Sequence, residues 1–198
     1  MRILVVGATG TIGEAIVDAL KNGNEIVPVS HRSTPITVDL ASGSSIRTML
    51  DKVGKVDAIV CAAGNAKFVP MEQLSDDDFD FSLRNKLMGQ VNLIRYGLAH
   101  VNDGGSITIT SGVLGRAPMT GSAAVSLVNA GLEGFARAAA LEAPRGIRVN
   151  VVSPPWVTET LKALKMDPSR GLPAATVARS YAQSVTGKAT GKVIEPSA

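Results

Sequence analysis

The chain has 198 residues, of which 45% are hydrophobic and 19% are charged, and this balance excludes an intrinsically disordered protein. The net charge is only +3, the lysines and arginines are scattered, and the 4% aromatic content leaves little material for stacking on bases. These features argue against a nucleic-acid partner and predict one domain, residues 1–198, with a single core.

The compartment is predicted from cysteine usage and from the first apolar run. Cys61 is the sole cysteine, so no internal disulfide can form and a reducing compartment is expected. The run at residues 1–7 is too short to span a membrane and lacks the layout of a signal peptide. We therefore expect a cytoplasmic protein without membrane association.

Short β-branched runs alternate with amphipathic stretches, which is the pattern of βαβ units. In chain order we predict a strand at 3–6, a helix at 14–21, strands at 26–29 and 36–38, a helix at 44–53, a strand at 56–61, a helix from 76–80 to about 101, a strand at 106–110, a helix at 122–141, a strand at 147–152, a loop from 154, a helix at 173–185 and a last strand at 191–194. Right-handed crossovers then give a doubly wound parallel sheet with helices on both faces, a three-layer Rossmann-type α/β/α fold.

A glycine-rich turn joins the first predicted strand to the first predicted helix. Gly7 permits a tight turn, Gly10 lets the backbone approach a pyrophosphate, and Gly13 lets the helix pack close to the sheet. Free N–H groups at the helix N-terminus favour phosphate groups. We predict that a dinucleotide binds here, and the alternative is a glycine-rich turn without a ligand.

The end of the second predicted strand indicates which dinucleotide binds. A carboxylate there would accept a hydrogen bond from a ribose 2′-hydroxyl, as in NAD sites, but this chain has none at that point. Arg32 can hold a 2′-phosphate with its planar donors, helped by Ser30, His31 and Ser33. NADP is therefore favoured over NAD, and the alternative is an arginine that is simply exposed in a loop.

Several segments together resemble one enzyme family. They are the G-x-x-G-x-x-G spacing at 7–13, VDL at 38–40, CAAG at 61–64, LRNKLMGQVNL at 83–93, GSITITSG at 105–112, and GLEGFARAAALEAPRGIRVNVVSP at 131–154. Over nearly the whole chain they resemble the short-chain dehydrogenase/reductase family. The resemblance implies a cofactor site made of Gly7, Thr9, Gly10, Thr11, Ile12, Gly13, Ser30, His31, Arg32, Ser33, Asp39, Leu40, Ala62, Ala63, Gly64, Asn129, Pro154 and Val157.

The resemblance also implies hydride transfer between a nicotinamide and a carbonyl or alcohol. In the family a tyrosine gives or takes the proton, a lysine four residues later lowers its pKa, a serine holds the substrate oxygen and an asparagine supports a water chain. Asn85 and Ser111 match the asparagine and the serine, whereas Val125 and Asn129 stand at the tyrosine and lysine positions. Neither replacement can donate a proton, although Asn129 can hydrogen-bond a ribose hydroxyl.

Other residues are weaker candidates for the missing acid. Tyr96 and Tyr181 are interpreted as packing residues. Lys86 adjoins Asn85 but should point about 100° away from it on an α-helix. Lys67, in the loop after the fourth predicted strand, is the least implausible substitute.

Three functions follow from this pattern. The first is an NADP(H)-dependent oxidoreductase that acts on a small carbonyl or alcohol with an atypical proton donor. The second is a catalytically inactive NADP(H)-binding regulatory or scaffold protein, and the third, which the dispersed charge disfavours, is a structural or nucleic-acid partner. The resemblance further implies a homodimer or homotetramer, and we expect no metal.

Overall fold

Seven parallel strands form one sheet in the computed structural model, which describes residues 1–197, and their order is β3-β2-β1-β4-β5-β6-β7. The strands are β1 (Arg2–Val6), β2 (Glu25–Ser30), β3 (Ile36–Thr37), β4 (Val56–Cys61), β5 (Val101–Thr110), β6 (Arg148–Val152) and β7 (Val193–Ile194). The helices are α1 (Thr11–Leu20), α2 (Gly43–Val53), α3 (Asp76–Ser82), α4 (Gly89–Gly97), α5 (Ala123–Glu142), α6 (Thr158–Ala163) and α7 (Ala174–Thr186).

The helices cover both faces of the sheet, and alternate strand residues divide between them. Leu4 and Val6 of β1 belong to a core cluster shared with α2, α4 and α5. Ile3 and Val5 belong to the opposite cluster, shared with α1 and α7. The predicted three-layer Rossmann-type fold is confirmed. Because all strands are parallel, their carboxyl ends meet at one edge of the sheet, where ligands bind in such folds.

The predicted helix from 76–80 to about 101 is present, but it is not α-helical throughout and it ends before residue 101. The chain is α-helical over Asp76–Ser82, π-helical over Leu83–Met88 and α-helical again only to Gly97. Residues 101–105, predicted to lie outside the strand, begin β5, because Val101 pairs with Val56 and Asn102 donates a side-chain hydrogen bond to Asp57. These long-range contacts outweigh the turn signal of the two adjacent glycines.

Two further differences lie beside the glycine-rich turn and in the loop that follows β6. Helix α1 begins at Thr11 with Gly10 as its N-cap, three residues before the predicted start, so Gly13 lies inside its first turn. The loop predicted after residue 154 contains the short helix α6. Both segments border the carboxyl edge of the sheet.

Substituting Gly13 should destabilise the fold through contact with the turn that follows β1. A Cβ atom at position 13 would overlap the carbonyl oxygen of Gly7, so we expect Gly13→Ala to lower the free energy of unfolding by about 1–3 kcal/mol. Urea denaturation of both variants checks this, with Gly134→Ala as the matched control, because nothing lies near a Cβ at that exposed position of α5. Equal stability of the two variants would contradict the contact.

Candidate functional site

A cavity of about 510 Å³ lies beyond the carboxyl ends of β1, β2 and β4. Eight predicted site residues line it: Gly7, Ser30, His31, Asp39, Leu40, Ala63, Gly64 and Asn85. We call this space the first cavity. It has the position that the sequence predicts for the adenosine half of a dinucleotide.

A smaller cavity of about 280 Å³ lies beyond the ends of β5 and β6, and we call it the second cavity. Five predicted site residues line it: Ile12, Ser111, Asn129, Pro154 and Val157. The lining also includes Lys86, Val125, Trp156 and Thr160. Trp156, which lines this cavity, forms a T-shaped aromatic pair with Phe68, and their ring centroids are 6.1 Å apart.

The N-terminus of α1 lies between the two cavities. Gly7 adopts a φ of +87°, and a Cβ there would lie 2.9 Å from the carbonyl oxygen of Ala62. No side chain caps the first turn of α1, so its leading N–H groups remain free for an anion. Gly7 lines the first cavity and Ile12 lines the second, so this turn joins them.

Seven predicted cofactor residues line neither cavity: Thr9, Gly10, Thr11, Gly13, Arg32, Ser33 and Ala62. Thr9, Gly10 and Thr11 form the exposed turn between the cavities. Arg32 is exposed beside His31, and within residues 1–197 it has no ion-pair partner. The Ser30 hydroxyl accepts a bond from the backbone N–H of Ser33 at 2.8 Å, which shapes this loop.

Asn85 lies in the π-helical segment, and its side chain holds the loop that follows β4. The backbone N–H of Asn65 donates to Asn85 Oδ1 at 2.7 Å. Directly after this segment, Gly89 at the start of α4 packs so closely on Leu40 that a Cβ would lie 2.9 Å from it. Such π-helical turns recur at functional sites, and here the turn fixes the wall between the cavities.

Ser111 lies at the end of β5 as predicted, but its hydroxyl is engaged below the second cavity. It donates to Oε1 of Glu133 at 3.0 Å, and Ser153 donates to the same oxygen at 3.0 Å. Arg116 forms an ion pair with that carboxylate at 3.2 Å, and Glu133 is only 4% exposed. The single O–H of Ser111 is therefore occupied by a carboxylate, and its role toward a substrate oxygen stays a prediction.

Asn129 presents an unused acceptor near the second cavity. Its Nδ2 donates to the carbonyl oxygen of Gly112 at 3.3 Å, while Oδ1 has no partner within residues 1–197. The side chain is only 2% exposed. An unpaired buried acceptor is costly, so this oxygen favours a ligand that carries a donor, as the predicted ribose hydroxyl does.

Lys86 is the functional candidate that sequence reasoning set aside. Asn85 and Lys86 do diverge, but the divergence directs Asn85 to the first cavity and Lys86 to the second. Lys86 packs on Gly64, where a Cβ would lie 3.1 Å from its Cα. Burial lowers the pKa of its ammonium group to about 8, against the opposite effect of Cys61. The available signal is a lysine inside the segment that resembles the one carrying the family's asparagine.

The other proposed substitutes are engaged elsewhere. Lys67 forms an ion pair with Asp78 at 3.1 Å and lines neither cavity. Tyr96 accepts a bond from Arg47 at 2.8 Å. Tyr181 is fully buried, and burial raises the pKa of its hydroxyl. Both tyrosines are packing residues, as the sequence predicts.

Comparison with known proteins identifies the family. A model of the family described as enoyl-(acyl carrier protein) reductase matches residues 7–193. The protein belongs to the short-chain dehydrogenase/reductase family. The predicted resemblance is thereby confirmed, and with it the assignment of the chain to a family of oxidoreductases.

The relatives and solved structures differ in how much they match. An uncharacterized oxidoreductase of Schizosaccharomyces pombe is 32% identical over 77% of this chain and 65% of that one. The chain spans 54% and 43% of the next two curated relatives. The crystal structure of the protein lin1944 from Listeria innocua is 38% identical, with 98% of both chains covered and a TM-score of 0.95. A Burkholderia cenocepacia short-chain dehydrogenase in complex with NADP, 24% identical, covers 98% of this chain and 95% of that one with a TM-score of 0.86, a likeness of fold.

Membrane-spanning helices and metal-binding groups are considered for the described residues only. Within residues 1–197 no helix is long and apolar enough to cross a membrane. Over the same residues, no group of three or more His, Cys, Asp or Glu side chains is placed to hold a metal ion.

Removing the charge of Glu133 should loosen the ends of β5 and β6. Glu133→Gln keeps an acceptor oxygen but loses the charge that attracts Arg116 and two hydroxyl donors, so we expect a loss of about 1.5–3 kcal/mol in unfolding free energy. Chemical denaturation measures it. The exposed Glu142 at the end of the same helix provides the control, Glu142→Gln, and an equal loss in both variants would contradict the network.

Proposed function

We propose that the protein is an NADP(H)-dependent oxidoreductase that acts on a small carbonyl or alcohol. The observation that carries the proposal is the pair of cavities joined by the uncapped N-terminus of α1, with Arg32 at the outer end and an unpaired Asn129 oxygen at the inner end. When bound, the nicotinamide would accept or supply the hydride.

The chain's own residues would hold such a dinucleotide along this path. Asp39 and Leu40 line the space for the adenine, and Arg32 is free to engage a 2′-phosphate. The first turn of α1 offers N–H groups to the pyrophosphate. Asn129 Oδ1 can accept a bond from the ribose on the nicotinamide side. The Burkholderia cenocepacia structure in complex with NADP supports this assignment at the level of fold.

The size of the second cavity supports a small substrate. Its volume of about 280 Å³ leaves little room beside a nicotinamide ring, and Pro155, Trp156 and Val157 close one side. Most of its lining is apolar, so water is largely excluded once the space is filled. These features favour a compact carbonyl or alcohol as the reacting group.

Arg32 provides the sharpest test of the cofactor. Arg32→Ala should weaken NADPH binding about 10- to 100-fold by removing a charge-assisted bond to the 2′-phosphate, while NADH binding stays the same. Titration calorimetry with both nucleotides measures this. Arg137→Ala, at an exposed site on α5, removes the same charge as a control, and unchanged NADPH affinity in Arg32→Ala would overturn the NADP assignment.

A second function is favoured by the residues at the tyrosine and lysine positions. Val125 and Asn129 carry no acid, and the Ser111 hydroxyl is bound to Glu133, which suits a non-catalytic NADP(H)-binding regulatory or scaffold protein. A panel of small aldehydes, diketones and quinones, incubated with NADPH and followed by loss of its near-ultraviolet absorbance, separates the two. Binding without any turnover would favour the regulator.

We also propose a homodimer or homotetramer. Leu127 and Leu141 lie exposed on α5 and offer apolar surface for such an interface. Light scattering on the purified protein should give twice or four times the mass of the 198-residue chain. A monomer at micromolar concentration would contradict this.

A further inference from the structure

Lys86 is the one ionisable side chain among the described residues that line the second cavity. It reaches the cavity from the π-helical segment, whereas Val125 and Asn129 line it from α5. The cavity thus has a neutral wall on α5 and a cationic group on a different element. No other lining side chain can release a proton near neutral pH.

The ammonium group of Lys86 is not neutralised by the protein. Within residues 1–197 it forms neither a hydrogen bond nor an ion pair, and its backbone is held against Gly64. The ionisable groups on the elements around it are Cys61 at the end of β4, Glu133 bound by Arg116 and two serines, Lys67 paired with Asp78, Arg84 paired with Asp80, and Glu159 bound to the N–H of Ala174. Of these, only Cys61 has a resolved influence on Lys86.

We propose that Lys86 Nζ holds the proton that the substrate oxygen takes up on reduction, in place of the tyrosine and lysine of the family. This inference rests on the proposed function, because it needs a carbonyl and a hydride in the second cavity. Lys86 is then a catalytic residue that contacts the reacting oxygen, and Asn129, which lines the same cavity, positions the ligand.

The atoms and electrons balance in this step. The carbonyl carbon would gain a hydride, with its electron pair, from the C–H bond of a bound reduced nicotinamide, and the C=O π bond would break toward oxygen. An N–H bond of the Lys86 ammonium breaks as the O–H bond of the alcohol forms, which leaves a neutral amine. Water at the cavity mouth returns the proton to Nζ, and alcohol oxidation runs the same steps in reverse.

The direction of the pH dependence follows from the charge state. Reduction needs the ammonium form, so its rate should fall as pH rises through the lowered pKa of Lys86, about 8. Oxidation needs the neutral amine, so its rate should rise through the same pH. A group with this value is suited to proton transfer, because both forms are populated near neutral pH.

The test compares Lys86→Met, which is similar in length and neutral, with Lys86→Arg, which keeps the charge but holds its proton. Quenching of Trp156, the single tryptophan, which lines the second cavity, measures NADPH binding in each protein independently of turnover. Turnover uses the carbonyl compound of the panel that the wild type reduces fastest. Lys67→Met is the matched control, since that lysine lies outside both cavities.

We expect both Lys86 variants to bind NADPH and to lose about 100-fold or more in kcat, and we expect the fall in the reduction rate at alkaline pH to disappear.

In the wild type, the extent of Lys86 acetylation by acetic anhydride, measured by mass spectrometry, should rise through pH of about 8. It should drop about tenfold when NADPH is present, with no drop at exposed Lys188. Wild-type kcat and pH profile in Lys86→Met overturns the role of Lys86 alone. NADPH binding by the wild type without any turnover overturns the oxidoreductase function together with the role of Lys86 and favours the regulator. Absence of NADPH binding to the wild type overturns the proposed function and the inference with it.

Discussion

The backbone of the first turn of α1 lies in close contact with the turn that precedes it, and the geometry of the proposed site depends on this contact. Only a glycine fits at position 13, because any side chain would overlap the carbonyl oxygen of Gly7. The contact brings the uncapped N-terminus of α1 down to the sheet edge, between the two cavities. The electropositive end of the helix is thereby fixed at the one place where a bridging pyrophosphate would span them.

A second constraint lies below the second cavity, where α5 meets the ends of β5 and β6. Glu133 is a buried carboxylate, and burying a charge is costly unless it is paired and hydrogen-bonded. Arg116, Ser111 and Ser153 supply those partners and tie α5 to the ends of β5 and β6. These bonds occupy the Ser111 hydroxyl, which matches the serine that holds the substrate oxygen in the family. One helical turn before Glu133, Asn129 is left with an unpaired oxygen.

The sequence predicted what local patterns determine and missed what depends on distant contacts. The buried runs of β1 and β4 and the glycine turn were recognisable because their residue types serve one purpose each. The start of β5 could not be recognised in this way. Residues 101–105 have the composition of a turn, and they form a strand because of their contacts with Val56 and Asp57. Lys86 was set aside by assuming ideal α-helix geometry, where the chain is π-helical. The cavity that each of these two neighbouring side chains faces depends on tertiary structure, which local sequence does not reveal.

In the proposed site the hydride platform and the proton source are separable. The glycine contacts of α1 and the Arg32 loop would place the adenosine and the pyrophosphate, and from α5 only Asn129 would contact the cofactor, at the ribose on the nicotinamide side. A proton donor needs only to reach the substrate oxygen in a space where water is scarce and charge is felt strongly. Lys86 meets that need from the π-helical segment, where its backbone packs on Gly64. A cation at that point would also stabilise the negative charge that develops on the oxygen, so one ammonium group can supply both the proton and the field that the family divides between two residues.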